Sequence, residues 1–303
     1  MPCISAISSA HEGDLALAEV IGKVRAGLGT ARADVAFLFA TPHHADRAEA
    51  ILSGIHAALG GPALVGSLGA GILGAGREVE DAPALVLMAG SLPGAEVVTF
   101  HAGAEALEGG DWPRRLGVSP GDRPSFVLLA DPFSMDAMAL LAGLDEAYPG
   151  RPKVGGMASG GQSPGSHVLF RDAVVHREGA VGMAITGAAE ILPLVSQGCR
   201  PIGPRCVITK GEHNVIRELA GRPALGVIRE IVEGLEGRDR ELASAGLLVG
   251  RVVDEAKPEF HRGDFLIRGL VGADEASGAV AVGDLIRRGQ TIQFQVRDGV
   301  SAD

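Results

Sequence analysis

The sequence predicts an α/β protein of two domains, on three observations. At 303 residues the chain is about twice the ~150-residue length typical of one domain. Residues 36–71 and 126–161 carry one pattern of turn and apolar residues at an offset of 90 without a gap. Each stretch reads as a buried strand, a helix and a second short strand. The fold class is therefore a duplicated β-α-β N-terminal domain over 1–189, followed by a second, mixed α/β domain over 190–303.

The first copy opens on the apolar run Val35 to Ala40, and a Pro-containing turn follows at Pro42. Ala48, Ile51, Leu52, Ile55 and Leu59 then trace a helical stripe. A Gly-x-Pro turn at Gly60 leads to the second strand. The second copy repeats this order from Phe126 to Ala130, with Met135, Met138, Leu141 and Leu144 at three-residue steps and the Gly150–Pro152 turn after them. Leu38 falls on Leu128, Pro42 on Pro132, Asp46 on Asp136, Gly66 on Gly156 and Gly71 on Gly161. Further strands follow at Ala84 to Ala89 and Ala180 to Ile185, with a hairpin from His167 to Val175.

Beyond Glu190 the residues Pro193, Gly198, Pro201, Gly203 and Pro204 punctuate the chain and mark the expected boundary. Strands are expected at Cys206 to Lys210, Leu247 to Val253, Asp264 to Val271, Ala279 to Asp284 and Thr291 to Val296. A helix opens at Pro223, which suits a first helical turn.

Composition bounds the function. Apolar residues make up 46% of the chain, enough to exclude long disorder. A net charge of -10 without any Lys or Arg run argues against nucleic acid or anionic membrane as a partner. Three cysteines, Cys3, Cys199 and Cys206, are too few and too scattered for a disulfide framework or a four-ligand zinc site. No basic leader or ~20-residue apolar run is present, so the expected location is cytoplasmic.

The stretch Gly66-Ser67-Leu68-Gly69-Ala70-Gly71-Ile72-Leu73-Gly74 through Glu78 and Glu80, with Val154-Gly155-Gly156, resembles the N-terminal domain of the FIST family. The run Ser196-Gln197-Gly198-Cys199-Arg200-Pro201-Ile202-Gly203-Pro204 is similar to the FIST C-terminal domain. So are Asn214, Glu218, Gly221, Pro223, Arg251, Asp264 to Arg268, Gly283-Asp284, Phe294 and Arg297-Asp298. The resemblance implies a sensory domain of bacterial signalling that binds small ligands such as amino acids and passes its signal to a separate output protein. It brings no catalytic residues and no cofactor. A eukaryotic F-box protein pairs the same domains for protein recognition, so a protein partner is the competing implication. Family members usually continue past the Arg-Asp motif into another helix and strand, so the C-terminal domain is expected to be incomplete, with an open sheet edge.

Gly69 to Gly74 formally fits Gly-x-Gly-x-x-Gly, but Gly76 and Pro83 leave no room for the helix a dinucleotide site needs, and the fit is read as accidental. A loop of exposed amides at Gly66, Ser67, Gly69 and Gly71, joined by Gly155, Gly156 and Ser159, is the expected ligand edge; ordinary turn glycines are the bland alternative. His43-His44 lies at a strand's carboxyl end, and a solvated helix start is preferred to a metal role. Asp131 and Ser134 suit either a pocket or, for Ser134 with Asp136, a helix cap and first turn. Cys199 beside Arg200 is the one thiol an enzyme reading could use, although no histidine can be placed next to it. Arg200 suits a ligand carboxylate or a structural ion pair equally. Lys210 to Asn214 reads as a hairpin connection. A small-carboxylate sensor is the first expectation, a protein-interaction module or an enzyme using Cys199 the alternatives.

Overall fold

The computed structural model describes residues 1–194, 198–261 and 263–299. Packing divides the chain into two units, Met1–Pro193 and Leu194–Asp303, and the class is mixed α/β. In chain order the first unit runs β1 (Cys3–Ser8), α1 (Gly13–Leu28), β2 (Val35–Ala40), α2 (Ala48–Leu59), β3 (Ala63–Leu68), β4 (Gly71–Gly74), β5 (Arg77–Glu80), β6 (Leu85–Gly90) and β7 (Ala95–Ala102). It continues through α3 (Trp112–Leu116), β8 (Ser125–Ala130), α4 (Ala137–Ala147), β9 (Lys153–Met157), β10 (Leu169–Arg171), β11 (Val174–His176) and β12 (Ala180–Gly187).

Strands β2 and β8 are apolar at almost every position because both of their faces are covered. Ala36, Leu38 and Ala40 pack against α1 and α2 through Val20, Val24, Ile51 and Ile55. Phe37 and Phe39 point the other way and meet Leu129, Val181 and Met183. Phe126, Leu128 and Ala130 face outward again, onto Trp112 of α3 and Leu140 and Leu144 of α4. The unit is thus four layers deep: helices, sheet, sheet, helices. Each large side chain sealed in these cores contributes about 1.5–3 kcal/mol relative to exposure.

The first sheet has the order β1-β6-β2-β3-β10-β11, the second β7-β12-β8-β9. In each, two strands joined through a helix pair in parallel, β2 with β3 and β8 with β9, and every other pairing is antiparallel. The registers differ from the gapless sequence comparison. Leu38 stands opposite Gly66, whereas Leu128 stands opposite Gly155, not Gly156. A Cβ added at Gly66 would lie 1.9 Å from the Leu38 carbonyl oxygen, and one at Gly155 would lie 1.7 Å from that of Leu128. Gly66 and Gly155 therefore occupy the same place beside their neighbouring strand, at an offset of 89. One residue is lost between the strands of the second pair.

The second unit contains β13 (Cys199–Glu212), β14 (Val215–Leu219), β15 (Arg222–Pro223), α5 (Ala224–Glu233), α6 (Gly237–Ala245), β16 (Leu247–Val252), β17 (Phe265–Asp274), β18 (Ala279–Val282) and β19 (Thr291–Arg297). Strand β13 pairs with β19 through its first half and with β14 through its second. Six antiparallel strands consequently close on themselves in the order β13-β19-β16-β17-β18-β14. Val227, Ile228 and Ile231 of α5 join Ile202, Ile208, Phe294 and Val296 in its core.

Pro201, Gly203 and Pro204, expected as punctuation between domains, lie inside β13. The ladder with β19 skips between Ile202 and Cys206, and this bulge accommodates Pro204, which a regular ladder would reject, while Pro201 stays in register opposite Gln295. Gly203 has φ 62, and a Cβ on it would stand 2.7 Å from Ile231 Cγ2.

Candidate functional site

The parallel strands β2, β3, β8 and β9 all end toward one side of the N-terminal unit, and the loops that follow them meet. The Gly69 amide donates to Ala40 O at 2.9 Å and the Ser159 amide to Leu68 O at 3.2 Å. The Ala70 amide donates to Ser159 Oγ at 3.0 Å, joining the loops after β3 and β9. Between the sheets at this end lies a solvent-open groove of about 410 Å³. Its walls are Phe39, Ser67, Leu68, Gly69, Gly71, Ile72 and Leu73 from one half and Val127, Leu129, Val154, Gly155, Gly156, Met157 and Ser159 from the other.

Six residues singled out from sequence therefore line one groove: Ser67, Gly69, Gly71, Gly155, Gly156 and Ser159. Not all of their amides are open as donors. The amides of Gly69, Ala70 and Ser159 are turned into the protein's own hydrogen bonds. The polar side chains on the wall are Ser67 and Ser159, and no lining residue is charged. Gly156 keeps the groove open, since a Cβ there would meet nothing within 4 Å. Gly66 lies within β3 against Leu38 and Phe170, away from this wall, because its missing side chain is needed for strand approach. Gly69 to Gly74 enters the β4–β5 hairpin rather than a helix.

Asp131 and Ser134 lie together, but in a buried network rather than on the groove wall. Asp131 is fully buried. It accepts from the Ser134 hydroxyl and lies 2.8 Å from His167 Nδ1. Ser134 Oγ in turn accepts from the Gly179 amide at 2.8 Å. Burial alone would raise the Asp131 carboxyl, but hydrogen bonds from Ser134, His167 and the Phe133 backbone hold it below the usual carboxylate range. The helix cap comes from Asp136, whose carboxylate accepts from the Met138 and Ala139 amides. His167 Nε2 is buried without a hydrogen-bond partner. Sequence reasoning missed this histidine because nothing local ties it to an aspartate 36 positions earlier.

His44 is buried, not solvated as expected. A 3-10 turn over Pro42–Arg47 rotates it inward, and both ring nitrogens lack a partner. Burial pushes its pKa down, with His43 and His11 adding to the effect. Among the described residues no cluster of His, Cys, Asp or Glu is placed to hold a metal ion.

In the C-terminal unit the Arg200 guanidinium bridges Asp239 of α6 and Asp298, and Arg238 shares Asp298 at 2.6 Å. Cys199 is buried; burial pushes its thiol above the ordinary range, and the Arg297 guanidinium opposes this only in part. Such a thiol is a poor nucleophile. Ser196 and Gln197 of the same motif lie outside the described residues. Lys210 to Asn214 forms the end of β13 and its turn into β14, with His213 at φ 52.

A second concavity of about 510 Å³ lies near the start of β2 and β3, lined by residues including Asp34 and Asp172. Its carboxylates are already engaged, Asp34 by Ser91 and Leu92 and Asp172 by Thr99 and the Leu64 amide. The inter-sheet groove is the better candidate.

No helix among the described residues is long and apolar enough to cross a membrane. The model of the FIST N domain matches residues 34–222 and that of the FIST C domain residues 224–302. An uncharacterised protein of Mycobacterium tuberculosis is 39% identical over 302 residues, covering 98% of this chain and 77% of that protein. An uncharacterised protein of Mycobacterium bovis is 39% identical over 291 residues, covering 95% and 74%.

Proposed function

The chain belongs to the FIST family, whose domains are generally associated with sensory signal transduction, and from that premise we propose that its N-terminal unit is a small-ligand receptor. The observation that carries this reading is the groove of about 410 Å³, a size suited to a metabolite, walled by residues from two segments some ninety positions apart. With apolar walls, two serine hydroxyls and no charge, it suits a molecule whose apolar body lies on the walls; an apolar amino acid would keep its ionised ammonium and carboxylate at the hydroxyls and the solvent-open mouth. A ligand carboxylate would be met by hydroxyls, because Arg200 is held by carboxylates in the C-terminal unit. The enzyme reading loses support with the buried Cys199 thiol.

Three further proposals accompany this one. The N-terminal unit is a duplication, supported by the matching strand orders β1-β6-β2-β3 and β7-β12-β8-β9. The boundary between a FIST N-type domain over 1–189 and a FIST C-type domain over 190–303 is placed where the chain passes from one compact unit to the next, ahead of residue 222 where the FIST N match ends, and the chain works in the cytoplasm.

A thermal-shift screen against apolar amino acids tests the receptor. Binding to the folded state alone contributes about 2.7 kcal/mol at a hundredfold excess over Kd, which is readily measured. Gly71→Val should remove the shift with little loss of stability, because its nearest neighbour is the flexible Glu80 side chain at 3.0 Å. Arg200→Ala should leave the shift intact. A shift that Arg200→Ala abolishes, or a Gly71→Val protein that binds normally, overturns the groove assignment.

A further inference from the structure

Among the described residues strand β9 ends the second sheet, and its edge has a filled counterpart in the first. The Phe126 amide donates to Pro152 O and the Ala158 amide to Ala130 O. Because a parallel ladder alternates, the N–H and C=O groups of Lys153, Gly155 and Met157 point away from β8, toward the open edge. On β3 the corresponding groups are taken. The Leu68 amide donates to Val168 O, and Leu64 O accepts from the Asp172 amide. Strand β10 lies antiparallel on this edge, and Phe170, at its centre, is buried among Leu38, Leu64 and Ile55 beneath α2.

Where Phe170 sits in the first half, the second half has a cavity. About 240 Å³ lies open between β9 and α4, lined by Leu128, Ala130, Ala137, Leu140, Leu141 and Met157 among others. Leu128 stands to Gly155 as Leu38 stands to Gly66. Met157 is 45% exposed, although methionine gains by burial. An edge without side-chain bulk at two glycines, beside a hole fit for one large apolar side chain, lacks a strand bearing that side chain.

We propose that β9 takes a segment of a partner protein as an added antiparallel strand, with a phenylalanine or similarly large apolar side chain seated between β9 and α4. The mode is β-augmentation: backbone hydrogen bonds supply much of the affinity and the pocket selects the side chain. It uses the edge and the helix-facing side of β9, whose Gly155 and Met157 also border the metabolite groove, and does not depend on that groove being occupied.

The probe is a synthetic peptide of this chain's residues 165–178, which contains β10 and β11, added to the full chain. Saturable binding is expected by fluorescence anisotropy, with the amides of Lys153, Gly155 and Met157 gaining protection from hydrogen exchange. A peptide with alanine in place of the phenylalanine should bind at least tenfold more weakly. Ala137→Phe, which fills the cavity from α4, should lose the peptide while keeping the metabolite shift. Should that variant fail to fold, the alanine peptide still decides the question. No binding at millimolar peptide, equal binding of the alanine peptide, or protection elsewhere overturns the proposal. A dimer of the chain that Ala137→Phe dissociates would also overturn it, assigning the edge to a second copy.

Discussion

Replacing Asp131 with alanine should cost the N-terminal unit about 2–4 kcal/mol, given about 1–3 kcal/mol for each buried polar group left unsatisfied. The carboxylate is fully buried, and its removal strands two partners at once, the part-buried Ser134 hydroxyl and the buried His167 Nδ1. His167 would then have both ring nitrogens unsatisfied, since Nε2 already lacks a partner. For a unit of this length about 1 kcal/mol moves Tm by roughly 2–4 °C, so a drop on the order of 10 °C is expected. Trp112, the single tryptophan, is buried in the core formed by α3, α4 and the second sheet, so its fluorescence follows this unit during urea denaturation. Asp131→Asn, which keeps the shape and one acceptor, should lose less. A urea midpoint for Asp131→Ala indicating a loss under about 1 kcal/mol would show that water reaches these groups, and the buried-network reasoning would fall. The depressed Asp131 pKa adds a pH dependence: its contribution is present above the unfolded carboxyl value and is lost as pH falls through the folded one.

Gly66→Ala should destabilise by at least about 3 kcal/mol, because its Cβ would fall 1.9 Å from a backbone oxygen. Gly156→Ala, with nothing within 4 Å, should change stability by less than about 1 kcal/mol; equal losses in parallel urea titrations would contradict the registers described. His176 stacks on His101 with ring centroids 3.9 Å apart, and burial, then His101 and Arg171, push its pKa down to about 4 from an ordinary 6.5. Above pH 6.5 it is neutral in both states; as pH falls from there toward about 4 the unfolded chain takes up the proton first, and stability falls. His176→Gln should flatten the stability profile in that window, and an unchanged profile would show that His176 is not shielded from water.

Local and periodic features were legible before the structure. The apolar run Val35 to Ala40, the helical stripe from Ala48 to Leu59 and the Gly-x-Pro turns each depend on neighbours a few residues apart, and they mark the β-α-β order. The glycine and serine residues of the groove were found the same way, at the ends of strands. Strand periodicity separates two faces without saying what covers each, so the four-layer stacking came only with the tertiary structure. The same limit hid the register. Gly155 and Gly156 are adjacent and identical, so the gapless comparison set Gly156 against Gly66, and only the approach of the Leu128 carbonyl shows that Gly155 holds that place. Arg200 shows how far local chemistry reaches: its fork was readable as a carboxylate binder, but Asp239 and Asp298, 39 and 98 positions away, decided which carboxylates it holds. Burial and long-range pairing depend on how the whole chain closes, and a window of sequence contains neither the covering layer nor the distant partner.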